Sequence, residues 1–387
     1  MSFLSFKEHD IVLQIGSGGV SGAVVRFSKS ALPKILYTHE SQFPLKEKIT
    51  ADDLSTHMLA AFETVLKTLH QKHKQRVRSV GVVLASPWFS SFSKQLSLSK
   101  NSPFVVSQKI IEKLIDDQFK LVAKSGLPDS EIIIERVPSH IKLNGYELMH
   151  PYGKSATAVD VSVYASMVSE DLIKKFESEI HKIFHPESVS FHSLPFVAWN
   201  VIIPLFAPKE DFIFVDIGSE ISDVLVVRHG SISSVVSLPM GKNHLVRKVA
   251  VHFDTHPELA NTLINLYAHD TADVQMKEKM STLVSAFGEE WRVCLQTAIQ
   301  DKKSDHEHFL PQRSFFVSDQ NISVIFNDIL HTQTQNTIQL SRENFSQFVD
   351  FSVGETPNIF ITLCSIYLNN RFSHRHIVYN KQHSLVK

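Results

Sequence analysis

One local pattern, written twice, restricts this chain more than any other feature. Ile11-Val12-Leu13-Gln14-Ile15 is a β-branched run stopped by Gly16-Ser17-Gly18-Gly19, and a second run over 20–27 follows at once. That spacing predicts a hairpin with a glycine-rich turn. A third strand is expected over 34–38. Thr50 then caps a helix whose apolar face is Leu54, Met58, Phe62, Val65 and Leu69, with Asp52 and Asp53 in its first turn. Residues 79–84 read as a buried strand. About 200 residues later the same order returns: a strand over 212–216, a turn at Gly218-Ser219-Glu220, strands Ser222–Arg228 and Ser231–Leu238, then Pro239-Met240-Gly241. Strand, glycine turn, strand, strand, helix occurring twice implies a duplicated α/β fold.

Between the copies the character changes. A strand near 94–98 precedes a helix capped by Ser107, with Ile110, Ile111, Leu114, Ile115, Phe119 and Val122 on one face, and strands follow over 131–137 and 156–164. Pro87, Pro103, Pro138 and Pro151 punctuate this stretch, which has the size of a small α+β insertion. Ser169 opens another amphipathic helix, carrying Leu172, Ile173, Phe176, Ile180 and Ile183. The Pro/Phe-rich stretch that follows, through Ile203, reads as a connection. Helices over 243–252, 257–267, 275–300 and 357–370 and a strand over 313–317 complete the pattern. The expected organisation is a first domain from 1–84, 164–205 and 357–370, an inserted module over 85–163, a second domain over 206–345, and a loosely ordered tail over 371–387.

With 387 residues and 43% hydrophobic content the chain can bury two cores. A net charge of −1 gives no pull toward nucleic acid. Cys294 and Cys364 match no metal or redox spacing and suggest a reducing compartment. His306 and His308 form the closest histidine cluster, in a polar loop that reads as surface. Residues 1–10 show no basic-then-apolar leader, and the longest apolar stretch, 194–206, is broken by Pro195, Asn200 and Pro204. It falls short of the ~20 residues that cross a bilayer, so a cytoplasmic protein without a span of its own is expected.

Four stretches carry a resemblance: Asp10 through Ser17; Phe214-Val215-Asp216-Ile217-Gly218 continuing to Ser222-Asp223; Val137 through Gly145 followed by His150-Pro151-Tyr152-Gly153; and Leu238-Pro239-Met240-Gly241. In order and spacing, from about residue 10 to 370, they resemble the actin, Hsp70 and sugar-kinase superfamily, in particular its FtsA/PilM branch of cell-division and pilus-assembly proteins. That branch carries an inserted SHS2-type module where 85–163 falls. The resemblance implies a duplicated actin-like (ribonuclease H-like) two-domain fold, with ATP and Mg in a cleft where hairpin N–H groups face the phosphates. It assigns Gln14, Gly16, Ser17 and Gly18 to the first phosphate loop, and Asp216, Gly218, Ser219 and Ser222 to the second. Gly241 and Ser318 complete the set, and Asp216 is the candidate metal ligand. It also implies partners: cytosolic segments of membrane-envelope proteins, or self-association, at the inner face of the cell membrane.

Three departures argue against catalysis. Gln14 stands where the superfamily has its metal-associated aspartate, and an amide supplies no negative charge. Ser219-Glu220 replaces a small glycine pair, and Glu220 points either to solvent or at the phosphates. The adenosine turn, Phe315 through Asp319, contains no glycine, and 258–264 offers no lysine. With 13 glycines in the chain, close backbone approach to a ligand is rare. The expectation is a degenerate site with no catalytic residue, weak or absent ATP hydrolysis and residual nucleotide binding, in a scaffold. The alternative is an active Mg-ATP-dependent ATPase or small-molecule kinase. Trp88, Phe89 and Phe92 form an aromatic segment that reads either as a partner surface or as core of the inserted module. Arg371, His374, Arg375, His376 and Lys381 lack an apolar companion face and read as a solvated tail. Gly16 and Gly218 are expected to confront each other across one pocket.

Overall fold

Alternation along two central strands organises the molecule. In the computed structural model, which describes residues 8–29, 31–125, 130–148, 150–206, 210–300 and 310–372, β1 (His9–Ile15) sends Ile11, Leu13 and Ile15 to one face and Val12 to the other. It pairs antiparallel with β2 (Gly19–Arg26), which pairs antiparallel with β3 (Lys34–Gln42); on its other side it runs parallel to β4 (Val77–Leu84). β4 in turn pairs parallel with β9 (Ser188–Ser193), a polar segment that the sequence reading passed over.

The second half repeats this order. β12 (Ser231–Leu238), β11 (Ser222–Arg228) and β10 (Phe212–Ile217) are antiparallel neighbours, and β10, β13 (Arg313–Val317) and β14 (Asn336–Gln339) are parallel ones. Sheet order β3-β2-β1-β4-β9 thus matches β12-β11-β10-β13-β14, as the duplicated pattern predicts; β15 (Asp350–Phe351) extends the first sheet beyond β3. A third sheet, ordered β5-β8-β6-β7, lies between the halves in sequence: β5 (Ser90–Val105), β6 (Glu131–Leu143), β7 (Tyr146–Glu147) and β8 (Ser155–Ser169). Helix α2 (Gln108–Ser125) packs on it through Ile111, Ile115 and Phe119. The side chain of Val122 lies outside the described residues, as do His306, His308 and the tail from 373 to 387.

Helices cover both faces of each large sheet. α1 (Ala51–Lys72) and α3 (Glu170–Phe184) pack on the Ile11 face of the first sheet, with Phe62 and Phe176 rings 4.7 Å apart. Fully burying each such aromatic contributes about 1.5–3 kcal/mol. Helices α5 (Lys242–His252), α6 (Pro257–Ala268), α7 (Val274–Gln300) and α8 (Ser323–His331) cover the outer face of the second sheet. The inner faces share one core: α4 (Leu194–Phe206) and α9 (Ile359–Phe372) lie against Val12 and Val83 of the first sheet and Phe212, Phe214 and Phe315 of the second.

Helix α4 corrects the expectation of a Pro/Phe-rich connection. Pro195 sits in the first turn, where no N–H is needed, and Pro204 falls in the last. Thr50 caps α1 as expected, accepting from Asp53 N (3.1 Å) while Asp53 Oδ2 accepts from Thr50 N (3.1 Å). Ser169 holds the N-cap position of α3 but makes no side-chain cap bond. Thr50→Ala should lower the unfolding free energy by about 1 kcal/mol, read from the urea midpoint; an unchanged midpoint would show that the cap is idle.

Candidate functional site

Period-two alternation gives Gln14 and Asp216 equivalent addresses. Each lies one residue from the end of its central strand, on the face that also carries Val12 in β1 and Phe212 and Phe214 in β10. Both line a cleft of about 820 Å³ between the two large sheets. The same cleft is lined by Gly16, Ser17, Gly18, Gly218, Ser219 and Ser318, so eight of the ten residues singled out for a nucleotide converge. Ser222 is turned away: its Oγ donates to Met240 O (2.7 Å), beneath the second hairpin. Gly241 caps α5 behind that hairpin.

The hairpins face each other and touch. Ser17, 3% exposed, accepts at Oγ from the backbone N–H of Glu220 (3.0 Å) and of Ile221 (3.4 Å). A Cβ on Gly18 would lie 1.8 Å from Ser219 Oγ, so only glycine permits this approach. The first turn is braced from below by Trp88, whose indole N–H donates to Gly16 O (2.7 Å).

This corrects the idea of an aromatic partner surface. Trp88 and Phe89 are 7% and 9% exposed and belong to the core under the first sheet; Phe92 is half-buried and stacks on Phe119 in the core of the third sheet. An indole with a carbonyl partner can be buried at little cost, and here it holds the turn in place.

Glu220 points neither to solvent nor at the cleft. Its carboxylate takes both Arg247 Nη groups (2.7 and 2.8 Å) and Asn243 Nδ2 (2.7 Å), anchoring the second hairpin to α5. Arg247 also donates from Nε to Lys46 O (3.0 Å), reaching the segment between β3 and α1. The first-turn amides of α5 are engaged as well: Lys242 N donates to Gly218 O (3.0 Å) and Asn243 N to Ser219 O (2.7 Å).

Asp216 stands opposite Asp223 in register and is 4% exposed. Burial, then Asp223, then Asp319 push its carboxyl well above the usual range, and its Oδ1 is buried without a hydrogen-bond partner. Asp223 is raised by burial too, although Ser237 (2.6 Å) and the Ser86 N–H (3.0 Å) donate to it. On the same wall, at the end of the neighbouring strand β13, Ser318 donates to Asp319 O (3.2 Å), and Asp319 pairs with Lys242 Nζ (2.7 Å). Asn261 on α6 leaves a buried Oδ1 without a partner, also lining the cleft.

Sequence reasoning missed Lys242, Asn261, Arg247 and the bracing role of Trp88. Lys242 had a signal, since it follows Pro239-Met240-Gly241 directly. Among the described residues no group of three or more His, Cys, Asp or Glu side chains is placed to hold a metal ion.

Comparison with known proteins bears on the fold. No protein-family model matches the chain, and no curated protein matches it. Among solved structures, the chain is similar to a PilM-PilN type IV pilus biogenesis complex, at 14% identity over 95% of this chain and 98% of that one, with a TM-score of 0.62. It is also similar to the ethanolamine utilization protein EutJ from Carboxydothermus hydrogenoformans (10% identity, 93% and 89% covered, TM-score 0.44) and to the apo psk41 parM protein (10%, 95% and 99%, 0.43). The last two superpose too loosely to carry an argument.

Proposed function

Starting from the actin-like ATPase fold of this chain, we propose that it is a non-catalytic scaffold that gathers partners at the inner face of a membrane, in a division or type IV pilus-type assembly. The observation that carries this reading is Gln14. It occupies the cleft-facing end of β1, as Asp216 does in β10, so one of the two equivalent positions offers an amide where a hydrated divalent cation needs charge. The cleft cation Lys242 is spent on Asp319, and the amides of Glu220, Ile221, Lys242 and Asn243 are already engaged. This donor set fits a magnesium triphosphate poorly, and no catalytic step is assigned.

Partner recruitment is supported by the likeness to a PilM-PilN complex over nearly the full length of both chains. Among the described residues no helix is long and apolar enough to cross a membrane. Association with a membrane would therefore run through the cytosolic segment of an envelope protein, or through self-association. The inserted α+β sheet, which the FtsA/PilM resemblance likens to an SHS2-type module, is the first surface to test.

Two measurements decide. Phosphate release from Mg-ATP should stay at the no-protein background, and the protein should leave the membrane fraction when its envelope partner is deleted. Metal-dependent turnover, or stable binding to bare lipid vesicles, would sink the proposal. A second reading, an active Mg-ATP-dependent ATPase or small-molecule kinase, draws support from one residue, the cleft-lining Asp216, whose buried Oδ1 has no hydrogen-bond partner. The same turnover assay revives it or removes it.

A further inference from the structure

We propose that Ser17 is an internal stand-in for a phosphate group: its hydroxyl ligates the second hairpin, sets the cleft against polyphosphates in favour of uncharged nucleosides, and clasps the two domains together. The idea rests on reading the cleft as a degenerate nucleotide site, and not on partner recruitment.

Successive backbone N–H groups at a glycine turn form a cradle for anionic oxygen. The cradle here is the N–H pair of Glu220 and Ile221, and Ser17 Oγ, with two lone pairs, accepts from both. Ser17 is supplied by the facing hairpin, so the bonds that fill the cradle also tie one domain to the other. The contact is close on either side of it. A Cβ on Gly218 would stand 3.0 Å from Ser17 Oγ, and one on Gly18 would collide with Ser219. A phosphoryl group entering between the turns must first displace Ser17 and part the hairpins.

Two further clasps close the same seam. The Ser86 N–H and hydroxyl reach Asp223 (3.0 Å) and Ser237 Oγ (2.9 Å), and Arg247 reaches Lys46 O. Separation of the turns is resisted at three places.

Charge points the same way. Among the described residues the cleft is lined by the carboxylates Glu40, Asp319 and Glu343, and by Asp216, which burial holds toward its neutral form, against two cations, Lys242 and Arg342. Lys242 pairs with Asp319 at 2.7 Å, and Arg342 approaches Glu343 at 3.5 Å. A polyphosphate meets net repulsion and finds no uncommitted cation there. The amide side chains that line the cleft, such as Gln14, Asn321 and Gln339, instead accept from N–H and O–H donors without repelling an uncharged ligand. A nucleoside offers such donors on base and ribose and carries no charge.

The test is calorimetric titration of the full chain with adenosine, ADP and Mg-ATP, on the wild type and on Ser17→Ala. In the wild type, ATP should bind no tighter than adenosine. In Ser17→Ala the affinity for ADP and ATP should rise about tenfold while that for adenosine stays unchanged. Hydrogen exchange of the wild type supplies a readout that needs no variant. The amides of Glu220 and Ile221 should be protected in the protein alone, and Mg-ATP should add no further protection. Wild-type ATP binding ten times tighter than adenosine would overturn the proposal. So would an unchanged phosphate preference in Ser17→Ala, fast exchange at 220 and 221, or failure of adenosine to bind either protein. Stable binding to bare lipid vesicles would sink the scaffold reading and leave this one standing.

Discussion

Gly241→Ala is expected to lower the unfolding free energy by about 3 kcal/mol, among the larger effects a single added methyl can have. Conformation is not the reason. The residue has φ −120° and ψ −165°, which alanine adopts freely. Contact is the reason. A Cβ there would lie 2.4 Å from Gly218 O, 2.5 Å from Ser219 O and 2.6 Å from Ser219 C, all backbone atoms of the second hairpin. No side chain can swing aside to relieve this overlap. The N-terminus of α5 must therefore back away, weakening the bonds from Lys242 N to Gly218 O and from Asn243 N to Ser219 O. A shift there also disturbs the hold of Arg247 on Glu220, and with it the seat of the hairpin. Urea unfolding measures the loss. Gly145→Ala is the control: nothing lies within 4 Å of its Cβ position, and φ of +82° alone should cost about 1 kcal/mol. Equal midpoints for the two variants would show that the junction yields without strain.

The second large effect is a gain. Glu135 on β6 is buried where the third sheet meets β9 and α9, and burial pushes its carboxyl from the usual 4.5 up to about 7. Ser193 donates through N (3.0 Å) and Oγ (2.5 Å), and Ser166 Oγ also donates to it. The charged and titratable neighbours are His192 on β9, Tyr164 on β8, and Tyr367 and Arg371 on α9. An acid with a raised folded pKa holds its proton more tightly when folded. Its presence costs nothing in acid; the penalty grows from about pH 4.5, where the unfolded chain ionises, and is complete above pH 7. Glu135→Gln keeps the shape and can offer its NH₂ to the serine hydroxyls, so it should stabilise the protein at pH 8 by about 3 kcal/mol and leave it unchanged at pH 4.

His192 acts in the opposite sense. Burial first, then Arg371, hold it well below 6.5, so the folded state keeps it neutral and loses stability as pH falls through the unfolded value. Arg371 donates to Nε2 at 2.8 Å, which leaves Nδ1 to carry the proton toward Glu135 Oε1 at 3.4 Å. Thermal melts across pH 4–9 should show the wild type nearly level between about pH 4.5 and 6.5, where the two effects offset, and the variant losing stability throughout that window as the pH falls. A variant less stable than wild type at pH 8 would mean that Glu135 is ionised and well paired in the folded protein.

How far the chain could be read in advance follows from the range of the interactions. The hairpins, α1 and the duplicated order were legible because alternation, caps and glycine turns are local, and they leave local marks such as Thr50 with Asp53. Polar β9 left no such mark: its Ser-Val-Ser-Phe-His-Ser run becomes a strand because β4 is there to pair with it. Helix α4 hid behind its two prolines, since its stability comes from burial between both sheets rather than from propensity. In the site, Gln14 and Asp216 could be placed from period two alone. The bond from Ser17 to residues 220 and 221 could not, because it depends on how closely two turns 200 residues apart approach. Trp88 was misjudged for the same reason, its carbonyl partner lying 72 positions earlier.

The shared core beneath the cleft has a mechanical consequence. Oily side chains of α4 and α9 run unbroken from Val12 on one sheet to Phe212 and Phe315 on the other. The molecule is built like a book with a waxed spine. Its covers cannot be pulled apart without wetting that spine, so whatever breathing the protein performs is a small pivot about it, widest at the page edges where the hairpins meet.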